Sequence, residues 1–124
     1  DDDANKASAQ VNAVVARAPD LAGIFGANLF SAIGSADGVK AMGKSGEIKV
    51  VAFDAPTRIV DDLKSGLVDM AIAQHPAEIG YMGVMVAFGH VTGNPVPVSV
   101  GTGFTVMTAD NIDDPDISKY VYSD

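Results

Sequence analysis

Three times along this chain an apolar, β-prone run stops at a side chain able to hydrogen-bond, and a helix-like segment follows. Asn28 comes after the run 21–27, Asp54 after 48–53 and Gln74 after 67–73. Strands that alternate with helices in this way predict an α/β fold: a parallel sheet with right-handed crossovers and helices on both faces. In such sheets ligands bind in the crevice outside the carboxyl ends of the strands. An amide, a carboxylate and a second amide are therefore expected to converge there. That set of donors and acceptors suits a neutral, hydroxyl-rich small molecule.

The helices are read from spacing and stop signals. Ala7, Val11, Val14, Val15 and Ala18 recur three and four residues apart, which predicts an amphipathic helix over 3–18. Aspartates at its start favour the positive end of the helix dipole, and Pro19 ends it. A second helix is expected over 30–42, with Ile33, Ala36 and Val39 or Lys40 toward the sheet and Gly43 to Gly46 as its stop. Gly34 and Gly38 inside it each cost about 1 kcal/mol relative to Ala. Pro56 suits the first turn of a helix running through Ser65, with Ile59, Val60 and Leu63 as its buried stripe. Pro76 opens a further helix to about Thr92. From Tyr81 to Phe88 it is apolar on every side, the pattern of a helix buried on more than one face. Gly93-Asn94-Pro95 reads as a turn and 96–100 and 104–108 as extended segments. From Asn111 onward the tail is acidic with little to bury.

With 124 residues, the length fits one domain with a modest core. No continuous apolar run reaches the roughly 18 residues needed to cross a bilayer. Eight Lys and Arg against 16 Asp and Glu give a net charge of -8, with no basic cluster to neutralise phosphates, so nucleic acid is not an expected partner. The absence of Cys excludes a disulfide framework, a thiolate metal site and a cysteine nucleophile. The chain starts at Asp1 without a signal-type segment and reads as a mature form or a fragment.

One motif points elsewhere. Gly38-Val39-Lys40-Ala41-Met42-Gly43-Lys44-Ser45 fits the phosphate-loop pattern literally, and Val50-Val51-Ala52-Phe53-Asp54 resembles a strand ending in a magnesium-binding acid. The mechanism needs a strand before the first glycine and a helix after the Lys-Ser, so that backbone amides cradle the phosphates. Here the order is reversed, and the glycines read as a helix stop and turn. Asp54 suits two roles: it can cap the following helix, or accept charge-assisted hydrogen bonds from two neighbouring hydroxyls. Asn28 and Gln74, taken singly, also suit turn or hinge positions. His75 and His90 lie apart from each other and from any acid cluster, so no metal site is expected and surface placement is the default. No nucleophile elbow or assembled nucleophile and base is visible, so no catalytic residue is assigned.

The blocks Ala18-Pro19-Asp20-Leu21-Ala22-Gly23-Ile24-Phe25-Gly26-Ala27-Asn28, Lys49-Val50-Val51-Ala52-Phe53-Asp54-Ala55 and Asp69-Met70-Ala71-Ile72-Ala73-Gln74-His75-Pro76, with Ile79-Gly80-Tyr81, resemble the carboxyl-terminal part of periplasmic sugar-binding proteins of the ribose-binding type. These are solute receptors of ABC importers. The resemblance continues to Thr102-Gly103-Phe104 and Asn111-Ile112. It implies a periplasmic-binding-protein type I fold, sugar contacts at Asn28, Asp54 and Gln74, no cofactor and no enzymatic activity. Implied partners are a monosaccharide or related polyol and the membrane permease of an importer, in the periplasm. Two departures bear on which sugar is bound: Leu29, where an Asp is usual, and the vicinity of Asp2, where some members carry a stacking aromatic.

Length is the larger departure. Family members trap sugar between two lobes that close over it. By resemblance, 1–74 belongs to the second lobe, 75–103 normally packs in the first lobe, and 104–124 is a returning segment and tail. The chain is thus expected to be a fragment that self-associates through its orphaned apolar faces. The alternative is the effector-binding domain of a LacI-type repressor, which shares the fold and often the Phe53-Asp54 element. The acidic charge stands against it.

Overall fold

The computed structural model describes residues 2–122; Asp1, Ser123 and Asp124, the extremes of the acidic start and tail, lie outside the described residues. Helix α1 (Ala4–Arg17) starts where the Asp3 carboxylate accepts the backbone N–H of Asn5 at 3.0 Å and of Lys6 at 3.1 Å, satisfying two of the free donors of the first turn. It buries Val11 and Val15 against α2 (Leu29–Ala41). Gly34 and Gly38, costly by propensity alone, lie where the two helices approach closely. A methyl group at Gly34 would run into the Ala4 carbonyl oxygen and Ala7 Cβ, and one at Gly38 into Val11. Close packing has overridden propensity there.

Strands β1 (Gly23–Gly26), β2 (Lys49–Phe53) and β3 (Met70–Gln74) are parallel and lie side by side in chain order. A fourth strand, β4 (Phe104–Met107), adds antiparallel to β3, with Gln74 opposite Phe104, so the sheet is mostly rather than wholly parallel. Moving one strand over in the same direction each time, right-handed crossovers place α2 and α3 (Thr57–Lys64) on one face. The core confirms it. Val50, Ala52, Ala71, Ala73 and Met107 point inward and are buried with Ala32, Ala36, Val39, Ile59 and Leu63.

The expectation of helices on both faces is not met among the described residues. The alternate strand positions, Phe25, Val51, Phe53, Met70, Ile72, Phe104 and Val106, are half-buried or exposed. Helix α4 (Pro76–Val91) has no buried residue, although its sequence predicts burial on several sides. Residues 94–103 form no strand, and Pro95 and Pro97 lack the donors a strand would use. The segment turns back at Gly93 toward α4, and a cleft of about 700 Å³, lined by Ile79, Met82, Val86, Val96 and Val100, separates the two.

The tail also departs from expectation. Ile112 is buried, and Ile117, Tyr120 and Val121 pack against the core. A short helix, α5 (Pro115–Ser118), starts where Asp114 accepts the Asp116 N–H at 2.9 Å. Its Asp-Pro start was present in the sequence, but the abundance of acid masked it.

Candidate functional site

Gly26 pairs with Ala52 and Phe53 with Ile72, so Asn28 and Asp54, just past β1 and β2, and Gln74, the last residue of β3, stand in one row at the carboxyl ends of three adjacent parallel strands. Each is positioned by a different local device. Asn28 is the cap of α2: its Oδ1 accepts the Ser31 N–H at 2.9 Å, and the Ser31 hydroxyl accepts the Asn28 N–H at 3.0 Å. The cap fixes the side chain and leaves Nδ2 facing outward, where it donates to Asp2 Oδ1 at 3.3 Å. Asp2 is thus at the site's edge, near the position where the family resemblance flags an aromatic.

Asp54 does not cap α3. The capping position belongs to Pro56, which makes no side-chain capping bond. Instead Asp54 Oδ1 accepts from Gln74 Nε2 at 2.7 Å, across two strands. Its backbone has φ +78°, alone among the described non-glycine residues in being positive, while its N–H still donates to the Ile72 carbonyl at 3.0 Å. Such a conformation costs on the order of 1 to 3 kcal/mol and persists where the surroundings fix it, typically at functional sites. The turn aims a half-buried carboxylate out of the strand end. With Oδ1 engaged by Gln74, Asp54 Oδ2 and the Gln74 amide oxygen remain as further acceptors of the pair.

The row therefore offers acceptors on Asp54 and Gln74 and a donor on Asn28, a set that matches vicinal hydroxyls. Among the described residues there is no group of three or more His, Cys, Asp or Glu that would hold a metal ion. Lys44, the lysine of the phosphate-loop pattern, is paired with Glu47 at 2.6 Å, and Gly38 lies inside α2 rather than before a phosphate cradle. Leu29 opens α2 and packs against the core.

His75 was expected on the surface and is not there. It is half-buried, its ring stacked on Tyr120 with centroids 3.8 Å apart and planes 12° apart, and Nε2 lies 2.8 Å from the Thr105 hydroxyl. His90, by contrast, is exposed. The Asp54–Gln74 bond and the His75 cluster had no signal in the sequence, because both depend on pairing between distant strands. The Asp54 backbone conformation did have a weak one: Asp tolerates positive φ better than most residues, and Ala-Pro follows.

Comparison with known proteins gives a consistent picture. A family model described as a periplasmic binding protein domain matches residues 1–95. A comparison with curated proteins returns no match. Among solved structures, an ABC transporter solute-binding protein from Agrobacterium vitis bound with α-D-tagatopyranose is 61% identical, with a TM-score of 0.93 over 100% of this chain and 42% of that one. A second solute-binding protein from A. vitis, with bound D-fucose, is 30% identical, with a TM-score of 0.87 over 98% of this chain and 42% of the other. A carbohydrate transporter solute-binding protein from Agrobacterium radiobacter, in complex with D-arabinose, is 28% identical, with the same TM-score over 98% and 41%. The chain thus spans about 42% of the length of the solved structures it matches.

Proposed function

Because the chain belongs to the periplasmic binding protein domain family, we propose that it is the carboxyl-terminal part of a two-lobed solute-binding component of an ABC importer, binding a monosaccharide or related polyol. Residues 1–74 form the second-lobe portion, 75–103 pack in the first lobe, and 104–124 return. The role is binding, not catalysis, and the location is the periplasm, where the protein delivers sugar to a membrane permease. The observation that carries the reading is the 2.7 Å bond between Gln74 and Asp54 at neighbouring strand ends, with Asp54 held at φ +78°.

Asp54 takes hydrogen bonds from two sugar hydroxyls, each charge-assisted and worth roughly 1.5 to 3 kcal/mol. Gln74 orients that carboxylate and offers its own oxygen. Asn28, locked by its capping box, donates through Nδ2. The 61% identity to a protein crystallised with α-D-tagatopyranose supports a hexose-sized ligand. A LacI-type role has no support from the family match or these neighbours.

Calorimetric titration of the full-length gene product with D-tagatose, D-fucose and D-arabinose tests the reading. Binding of at least one, weakened by a few kcal/mol in Asp54→Ala and less in Gln74→Ala, is expected. Unchanged affinity in a folded Asp54→Ala variant would remove Asp54 from the site.

A further inference from the structure

We propose that the carboxyl-terminal segment 120–122 is a positioning strap for the strand-end pair, holding together the two backbone turns that carry Asp54 and Gln74. Its functional consequence rests on the reading of Asp54 and Gln74 as sugar ligands. At one end of the strap, the Tyr120 ring stacks on His75, the residue that follows Gln74. The same imidazole meets the Thr105 hydroxyl at 2.8 Å. It also abuts Gly103, where an added methyl group would sit 3.1 Å from Nδ1 and where φ is +76°. His75 is thereby enclosed by the tail, β4 and the residue that leads into β4.

At the other end of the strap, Tyr122 reaches the residue that follows Asp54. Its N–H donates to the Ala55 carbonyl in a long bond of 3.4 Å, and it forms a bridge with Pro56. Ala55 and Pro56 are buried. Between the two anchors Val121 packs on the core. Three consecutive tail residues thus touch the turn after β3, the core and the turn after β2.

The site needs such a brace. A hydrogen bond between two half-buried side chains on different strands must outweigh their rotamer entropy, and the φ of Asp54 is held only if its surroundings over-determine it. No side-chain cap ties Asp54 to α3, and α4 has no buried residue to hold the turn that carries Gln74.

The side-chain amide of Gln74, followed by nitrogen-15 NMR in this chain, reports the brace directly and without sugar. Tyr120→Ala should move the Gln74 amide protons to free-amide shifts and speed their exchange, while Tyr120→Phe, which keeps the stack, leaves them in place. Tyr120→Leu, which keeps the volume but not the aromatic stack, gives the same answer if the alanine variant does not fold. Ile117→Ala, a core contact of the same tail, should lower the melting temperature without moving the Gln74 signals. In the full-length gene product Tyr120→Ala should weaken sugar binding on the order of tenfold, as loss of outer-layer support does for metal ligands, and Tyr120→Phe should not. Gln74 signals unmoved in a folded Tyr120→Ala or Tyr120→Leu variant would overturn the strap. Failure of sugar binding in the wild type would instead strike the proposed function and leave the NMR result standing.

Discussion

Helices α3 and α4 follow neighbouring strands, and the more polar of the two is the buried one. In α3, five of eight positions are polar or charged by its sequence TRIVDDLK, yet Ile59 and Leu63 are fully buried. In α4, Glu78 is the only acid and there is no Lys or Arg, yet Tyr81, Val84, Phe88 and Val91 are each more than 60% exposed. The difference lies in what the chain does next. After α3 it returns to pair β3 with β2, so the helix is pinned over the sheet; after α4 it returns only as β4, after the irregular residues 94–103. The sheet repeats the contrast: one face is packed, and the other carries Phe25 and Phe104 in the open. Apolar surface left in water contributes nothing to stability, and continuous patches of it mark interfaces.

Core truncations give the largest expected effects. Leu63→Ala should destabilise the chain by about 2 to 5 kcal/mol in urea unfolding, while Phe88→Ala, on the longer and more apolar helix, should change it by less than about 0.5 kcal/mol. Equal losses at the two positions would abolish the contrast between α3 and α4. The exposed faces should instead show in association: light scattering should detect concentration-dependent self-association of this chain, reduced by Phe88→Asp.

Backbone effects come next. At φ +78°, Asp54→Gly should be more stable than Asp54→Ala by about 1 to 2 kcal/mol, because only glycine occupies that region without a Cβ penalty. Thermal unfolding of the pair decides it, and equal stabilities would mean that Asp54 relaxes to negative φ.

The smallest effect concerns pH. Arg58, on α3, donates to Asp37 on α2 at 2.6 Å and to Asp62 at 2.8 Å. Burial raises the Asp62 pKa, the Arg58 hydrogen bond and charge oppose the rise, and Asp37 adds to it. A folded-state pKa above the unfolded value means that the folded chain binds the proton more tightly. Stability from this group is therefore lost as pH rises from the unfolded value near about 3.9 through the folded one. Across that window the wild type should lose stability relative to Asp62→Asn; a wild type that gains would reverse the assigned balance.

Local signals carried far. The three strands and the helices between them were legible because apolar runs, Pro at helix starts and Gly at helix ends agree with one another, and the row of Asn28, Asp54 and Gln74 followed from their positions at strand ends. What was not legible depends on neighbours distant in sequence. The antiparallel pairing of β4 needs the 104–107 strand to find β3. The open sheet face and the unburied α4 depend on how the chain continues after each element, which no local pattern encodes. Gly34 and Gly38 looked like flaws until α1 was seen to pack against them, and His75 looked like a surface residue until Tyr120 came back to cover it.

Titration of D-tagatose into this 124-residue chain alone tests most directly the claim that it carries only part of a two-lobed site. Small-molecule sites usually enclose most of their ligand, while one row of strand ends contacts a single side of a sugar. The expected result is no binding tighter than about millimolar, near 4 kcal/mol. Micromolar binding by the isolated chain would contradict the claim and make it a self-sufficient sugar-binding domain.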